Sequence, residues 1–226
     1  MAFSKGDVIR LNYTIRDSSE VFDTTLESVA IKEGIFQNGK QYEPAIFIVG
    51  MPNFFEKVDN EIEAMSVGEK KSIALKPKDA FGERNPDLIK VVPMTEFKRR
   101  KIVPFPGLAV DVNGLQGKVQ SVSGGRVRVD FNHPLAGKDL YFEAEVVEKI
   151  EGDENKAKAL VGRYFGKGKG VDAKVVGKKL EVVLNIDKAK NIAMRKNDFV
   201  KAALNCISVE EIDIIERFKR VTEKKN

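Results

Sequence analysis

A chain of 226 residues, 42% hydrophobic and 32% charged, has room for one large domain or two to three small ones and enough apolar content for a core, which excludes wholesale disorder. Its net charge of +5 is unevenly held: residues 1–151 carry 21 Lys+Arg against 23 Asp+Glu, and residues 152–226 carry 18 against 11. One cysteine, Cys206, with no CxxC or Cys/His companion, excludes an internal disulfide and a zinc site, and no stretch approaches the ~20 apolar residues of a membrane helix.

The start, MAFSKGDVIRLNYTIRD, has no apolar h-region, so no signal peptide is read and a reducing, cytoplasmic setting is expected. GDVIRLNYTIR alternates with period two and predicts a strand, followed by a turn at Asp17–Glu20 and VFDTT. PAIFIVG (44–50), bounded by Pro and Gly, predicts another strand. NFFEKVDNEIEAM (53–65) changes period: Phe54, Phe55, Val58, Ile62 and Met65 share one helical face, with Asn53 as the expected N-cap. SVGEKKSIALKP predicts a strand ending at Pro77, LIKVV a strand, and MTEFKRR a short helix. LAVDV, LQGKVQSV and RVRVDF then form a predicted meander joined by tight turns at Asn113-Gly114 and Gly124-Gly125. DLYFEAEVVEKI is a further strand.

A charged stretch, EGDENKAKA, marks an expected domain boundary near residue 151. Beyond it, KAKALVGRYFGKGKG opens the tail, and VDAKVV and KLEVVLNI pair as a hairpin around Gly177-Lys178. Two helices are predicted next: one from Asp187, one from Ser208, where Glu211 completes a capping box. The pattern is α+β with antiparallel strands rather than alternating βαβ units.

Ordinary active sites lack parts. The single histidine, His133, sits in FNHPLAG, a turn bounded by Pro and Gly, and the chain has no G-x-S-x-G; a locally hydrogen-bonded turn residue is the expectation. GRYFGKGKG does not match a phosphate-binding loop, and DVNG at 111 lacks the Glu of a calcium loop, having Val122 there. Glu61 and Glu63 lie on an exposed helix face. What remains is an apolar aromatic set (Tyr13, Phe22, Phe47, Phe54, Phe55, Phe81, Phe142) beside one acid, Asp23. Such a set is what a plain hydrophobic core looks like. It is also the equipment prolyl isomerisation needs. That reaction crosses an amide-resonance barrier of ~18–20 kcal/mol through a twisted, less polar transition state, which a dry pocket favours without a general base.

The motifs YT (13–14), VFDTT (21–25), MSVGEKK (65–71), DAFGE (79–83) and FNHPLAGKDLYFEAEVV (131–147) resemble, in order, those of an FKBP-type peptidyl-prolyl isomerase. The stretch from NPDLIKVVP to VRVDFNHPLAG resembles the SlyD branch, with a domain inserted in the flap, and the tail resembles the long archaeal members. The resemblance implies an antiparallel half-barrel around a short helix (1–83 plus 132–151), a small β-rich insert that holds unfolded chains (84–131), and a C-terminal basic α+β domain (152–226). It implies no cofactor, and the branch's His/Cys-rich metal tail is absent, so no metal is expected. It implies catalytic roles for Tyr13, Asp23, Phe55 and Phe81: Asp23, bonded to Tyr13, polarises the rotated carbonyl, and the Phe55 N–H holds a substrate carbonyl. Phe22, Ala45, Phe54, Val58 and Phe142 line the proline pocket by the same resemblance.

Departures from the pattern weaken the expected pocket. Phe81 stands where the family has Tyr, Ala45 replaces a larger side chain, and Glu56-Lys57 replace Pro-Gly. One lost hydrogen bond of this kind costs ~0.5–1.5 kcal/mol, a few-fold to tenfold in rate. In the insert, Leu88, Ile89, Val91, Val92, Met94, Phe97, Ile102, Val103 and Phe105 are many apolar residues for a small domain. Either half of them form its core, or the surplus is a client-binding patch. The tail's apolar spacing (Phe199, Ala203, Cys206, Val209, Ile212, Ile215, Phe218) fits a marginal independent domain or a homodimer contact. The expected function is prolyl isomerase and folding chaperone for unfolded polypeptides. A holdase with a vestigial pocket is the first rival. A nucleic-acid binder acting through the basic tail is the reading favoured least, and no membrane partner is expected.

Overall fold

The alternation of GDVIRLNYTIR becomes strand β1 (Val8–Arg16) in a computed structural model that describes residues 3–166, 170–185 and 192–218. Asp187, expected as an N-cap, lies outside the described residues. Internal contacts divide the chain into two units, residues 1–74 with 141–226, and residues 75–140. The α+β class expected from the sequence holds in both.

In the first unit β1 is central. β2 (Val21–Thr24) and β3 (Ala45–Ile48) pair antiparallel with successive halves of one edge of β1, and β9 (Leu140–Lys149) pairs with the other. The sheet continues to β4 (Lys70–Leu75). A short helix α1 (Glu27–Lys32), which the sequence reading lacked, precedes β3, and α2 (Glu56–Glu63) follows it. Val58, Ile62 and Met65 are fully buried, as the helical face of 53–65 requires. The register explains why PAIFIVG is apolar without alternation. Ile9 and Leu11 lie opposite Phe47 and Ala45 on one face, while Val8 and Arg10 lie opposite Ile48 and Ile46 on the other. Both faces are covered, so successive residues of β3 are buried.

The cover on the second face is the tail. Val8, Ile46 and Ile48 belong to one buried cluster with Ala157, Leu160, Phe165, Leu180, Phe199 and Cys206. Residues 152–226, expected as a separate domain, therefore fall in the same unit as the half-barrel. Two expectations in the tail are corrected. KAKALVGRYF, read only as the start of the tail, is most of helix α4 (Asp153–Phe165), with Asp153 and Glu154 in its first turn and Arg163 in its last. The second predicted helix is strand β12 (Glu211–Arg217). It pairs parallel with β11 (Lys179–Asn185), which pairs antiparallel with β10 (Val171–Val176). Helix α5 (Ile192–Cys206) makes the crossover, so the tail contains the βαβ unit that the sequence reading excluded. Val209, Ile212 and Ile215 fit helical spacing, but Ile212 and Ile214 also fit period two, and pairing with Leu180 and Val182 decides for the strand. Ser208 caps no helix; its N–H donates to Asp153.

The second unit holds β5 (Ile89–Pro93), α3 (Met94–Arg99), β6 (Ala109–Val112), β7 (Leu115–Ser123) and β8 (Arg126–Asp130) in the antiparallel order β5-β8-β7-β6. This unit extends the expected insert outward at both ends. Both predicted hairpins form: Asn113-Gly114 have φ of 55° and 82°, and Gly124-Gly125 have 55° and 72°, the paired left-handed conformations of a tight two-residue turn. Val92, Phe97, Val110, Val119, Val127 and Val129 make its core. His133 is an exposed turn residue whose Nδ1 accepts from the Leu135 N–H at 3.2 Å, with its ring stacked on Phe81 at 4.1 Å.

At the mouth of this unit the buried carboxylate of Asp130 accepts from Arg84, from the Asn132 N–H (2.9 Å) and side chain (2.7 Å), and from Gln120 (3.3 Å). Burial opposes its charge, but the Asn132 and Arg84 donors outweigh that and hold its pKa below the ordinary value. A depressed acid stabilises the fold above its unfolded pKa, about 3.9, and loses that contribution as pH falls through the folded value. Asp130→Asn should cost about 2 kcal/mol at neutral pH. It should also flatten the loss of stability below about pH 4, read by amide exchange of β5 and β8 across an acid titration.

Candidate active site

Strand pairing gathers the aromatic set. On β1, Tyr13 and Ile15 point to one face; Ile15 lies opposite Asp23 on β2 and Phe142 on β9, so both flank Tyr13 diagonally. The Tyr13 hydroxyl donates to Asp23 Oδ2 at 2.8 Å, and the Tyr13 ring stacks on Phe142 at 5.3 Å. Phe54 sets its ring edge to Tyr13 (5.2 Å) and Phe142 (4.9 Å), with Phe47 at 6.3 Å. Phe142, Phe47 and Val58 are fully buried, whereas Tyr13 and Phe54 keep partial access to solvent. Phe22 is the extra residue where Ile15↔Asp23 gives way to Arg16↔Val21, a bulge of the kind that re-aims a side chain. Burial first, and then the Asp23 carboxylate, push the Tyr13 phenol well above the usual tyrosine range. Tyr13 thus stays a donor at any physiological pH.

Asp23 is held from two further sides, by the Thr24 N–H (2.9 Å) and by Lys40 Nζ (2.6 Å). Beside the pair is a cavity of about 350 Å³ lined by Tyr13, Lys40, Ala45, Phe54, Gly162 and Arg163, among others. Asn53 is not the N-cap of α2; Phe55 takes that place. The Asn53 amide instead bridges the loop, donating to the Ile48 and Met51 carbonyls at 2.9 and 2.6 Å and accepting from the Ile48 N–H at 3.0 Å. The helix end is served from within by Asp59, whose carboxylate accepts from the N–H groups of Asn53 (2.8 Å) and Phe54 (3.0 Å). Burial, only partly offset by those donors, raises the Asp59 pKa. Lys40, Asp59, Gly162 and Arg163 escaped the sequence reading. Only Asp59 had a local signal, an acid on the apolar side of an amphipathic helix.

Of the other expected site residues, half-buried Phe55 starts α2, and Phe81 lies in the second unit, stacked on His133. The expected client surface divides. Val92 and Phe97 are corrected to core: Val92 is the one buried residue of β5, and α3 turns its one aromatic inward. Ile89, Met94 and Ile102 are half-buried, whereas Leu88, Val91 (61% exposed), Val103 (83%) and Phe105 (57%) face solvent. Leu115, which the sequence reading passed over, joins the exposed residues at 62%.

An aromatic cluster with a donor–acceptor pair beside a cavity can desolvate and twist an amide. Comparison with known proteins agrees. Residues 90–135 match the family model "FKBP26, IF domain". The chain is 34% identical over 142 residues, 63% of its own length and 90% of the relative's, to a short-type peptidyl-prolyl cis-trans isomerase of Methanocaldococcus jannaschii. It is 32% identical over 131 residues, 56% of its length and 86% of the relative's, to an FKBP-type 16 kDa peptidyl-prolyl cis-trans isomerase of Escherichia coli. It is 29% identical over 154 residues, 67% and 71% of the two lengths, to the FKBP-type isomerase SlyD of Pasteurella multocida. A half-barrel with an aromatic pocket, interrupted by an insert of its own recognised type, makes this chain a member of the FKBP-type peptidyl-prolyl cis-trans isomerases, SlyD-like in carrying an insert-in-flap domain.

Proposed function

We propose that this isomerase acts on unfolded and partly folded polypeptides, with residues 84–131 as the capturing surface and the Tyr13–Asp23 pocket as the catalyst. The observation that carries the reading is the solvent-facing apolar group Leu88, Val91, Val103, Phe105 and Leu115 on a small unit that already has a core. Large apolar side chains left wet in this number on one small unit support a partner site. In the pocket, the proline ring enters between Tyr13, Phe54 and Phe142 above Val58. Phe22 and Ala45 flank it, Asp23 polarises the rotating carbonyl, and Phe55 at the start of α2 holds a neighbouring carbonyl. No step needs a cofactor. A single buried thiol, whose pKa burial pushes up to about 11, fits a reducing, cytoplasmic setting.

The test is refolding of a protein limited by one prolyl isomerisation. Asp23→Ala should lower the catalysed rate about tenfold, the loss of one charge-assisted hydrogen bond of roughly 1.4 kcal/mol. If the intact chain suppresses aggregation yet gives no acceleration, the pocket is vestigial and the protein is a holdase. Homodimerisation through the tail is supported by β12, an edge strand whose Ile215 and following Phe218 are exposed. Light scattering should give about twice the monomer mass, and Phe218→Glu with Ile215→Lys should return it to the monomer value.

A further inference from the structure

We propose that α4, the first helix of the tail, is a working wall of the isomerase site, with Arg163 a positioning residue for the Phe54–Phe55 segment and Gly162 a determinant of which residue may flank the substrate proline. The inference rests on reading the Tyr13–Phe54 cavity as the proline site.

Arg163, half-buried in the last turn of α4, donates from Nη1 to the Ile46 carbonyl and to Asn53 Oδ1 at 2.9 Å. Asn53 ties the end of β3 to the loop before α2, and its N–H, with that of Phe54, is held by Asp59. The chain of bonds Arg163–Asn53–Asp59 therefore fixes the backbone from which Phe54 meets Tyr13 and Phe142. A guanidinium suits this role because both bonds leave one nitrogen, Nη1, whose two N–H groups are fixed in the guanidinium plane; a lysine ammonium has three donors but holds them on a freely rotating group.

Gly162 gives the second, independent observation. Within α4 its backbone is helical, and it is not among the glycines with positive φ, so no backbone constraint calls for glycine. Glycine is the residue least favoured in a helix after proline. Yet Gly162 lines the cavity that Ala45 and Tyr13 line from the sheet side. Two small residues lining one cavity leave space there for a side chain of the bound peptide.

The experiment uses the full chain and a set of short prolyl peptides differing in the residue before proline. kcat, KM and Tm are measured for Arg163→Met, Arg163→Lys, Gly162→Leu and Asp23→Ala. Arg163→Met should lower kcat/KM about tenfold, and Arg163→Lys should recover only part of it. Gly162→Leu, which favours the helix, should keep Tm while raising KM at least fivefold for peptides with a bulky residue before proline and little for alanine. If Gly162→Leu is silent across the series, or Arg163→Met changes Tm alone, α4 is mere cover and the inference fails while the pocket stands. If Asp23→Ala is silent as well, it is the pocket reading that fails.

Discussion

Replacing residues 84–131 with a short loop should leave turnover of a short prolyl peptide within about twofold, yet lower the acceleration of refolding of an unfolded protein by about 100-fold. The reason is effective concentration. On the proposed reading a client held on the insert would present its prolyl bonds to the pocket as a local reactant, and tethering of this kind multiplies apparent affinity by ~10²–10⁴ without a new contact at the pocket. The cut is geometrically mild. The Asn85 N–H and carbonyl bond the Asn132 side chain at 2.8 and 2.9 Å, and the Phe131 N–H donates to the Leu88 carbonyl at 2.9 Å, so the two strands of the connection already lie side by side. The ring contacts among Tyr13, Phe54 and Phe142 are all made by residues outside the removed segment. Val103→Ser with Phe105→Ser should reproduce most of the refolding loss, since both side chains are exposed and neither is in the core. Equal losses on peptide and protein would sink the division of labour, because the cut would then have damaged the pocket itself.

Legibility followed the range of the interactions. The hairpins at Asn113-Gly114 and Gly124-Gly125 were readable because their φ requirement is local and few residues meet it. Strand β1 was readable from period two, and the Tyr13–Asp23 hydrogen bond from the motifs the two residues sit in. PAIFIVG was read as a strand without its reason, since the burial of Ile46 and Ile48 depends on helices more than a hundred residues away. The same distance hid Arg163, whose partners Ile46 and Asn53 are fixed only by the tertiary fold. EIDIIER failed because isoleucines at two- and three-residue spacing satisfy both periods, and the parallel partner Lys179–Asn185 resolved what the segment left open. In the insert, composition showed a surplus of apolar residues but not which of them. Sorting Val92 and Phe97 inward from Val103 and Phe105 needed the strand and helix phases.

Removing the tail after Glu151 should have the largest effect on stability. Val8, Ile46 and Ile48 lie on the sheet face opposite to that of Ile9, Leu11 and Phe47, and among the described residues their cover is α4, α5 and the sheet behind them. Exposing three such side chains forfeits ~1.5–3 kcal/mol each, so roughly 4.5–9 kcal/mol in all. A natural domain has only ~5–15 kcal/mol to lose. Arg163 would go too, leaving the Ile46 carbonyl and Asn53 Oδ1 without that donor. The expected result is a Tm lowered by at least about 15 °C, or aggregation at room temperature. A relative that matches 142 residues of this chain has 90% of its own length inside that match, and so carries little sequence beyond it. The defect should therefore lie in the apolar back face rather than in the barrel. Val8→Thr, Ile46→Thr and Ile48→Thr together should then restore solubility to residues 1–151 while destabilising the intact chain, where the same three positions are buried. That reversal of sign is the decisive reading. A truncated chain that stays monomeric within about 3 °C of the intact Tm would mean the tail leans on the barrel without supporting it.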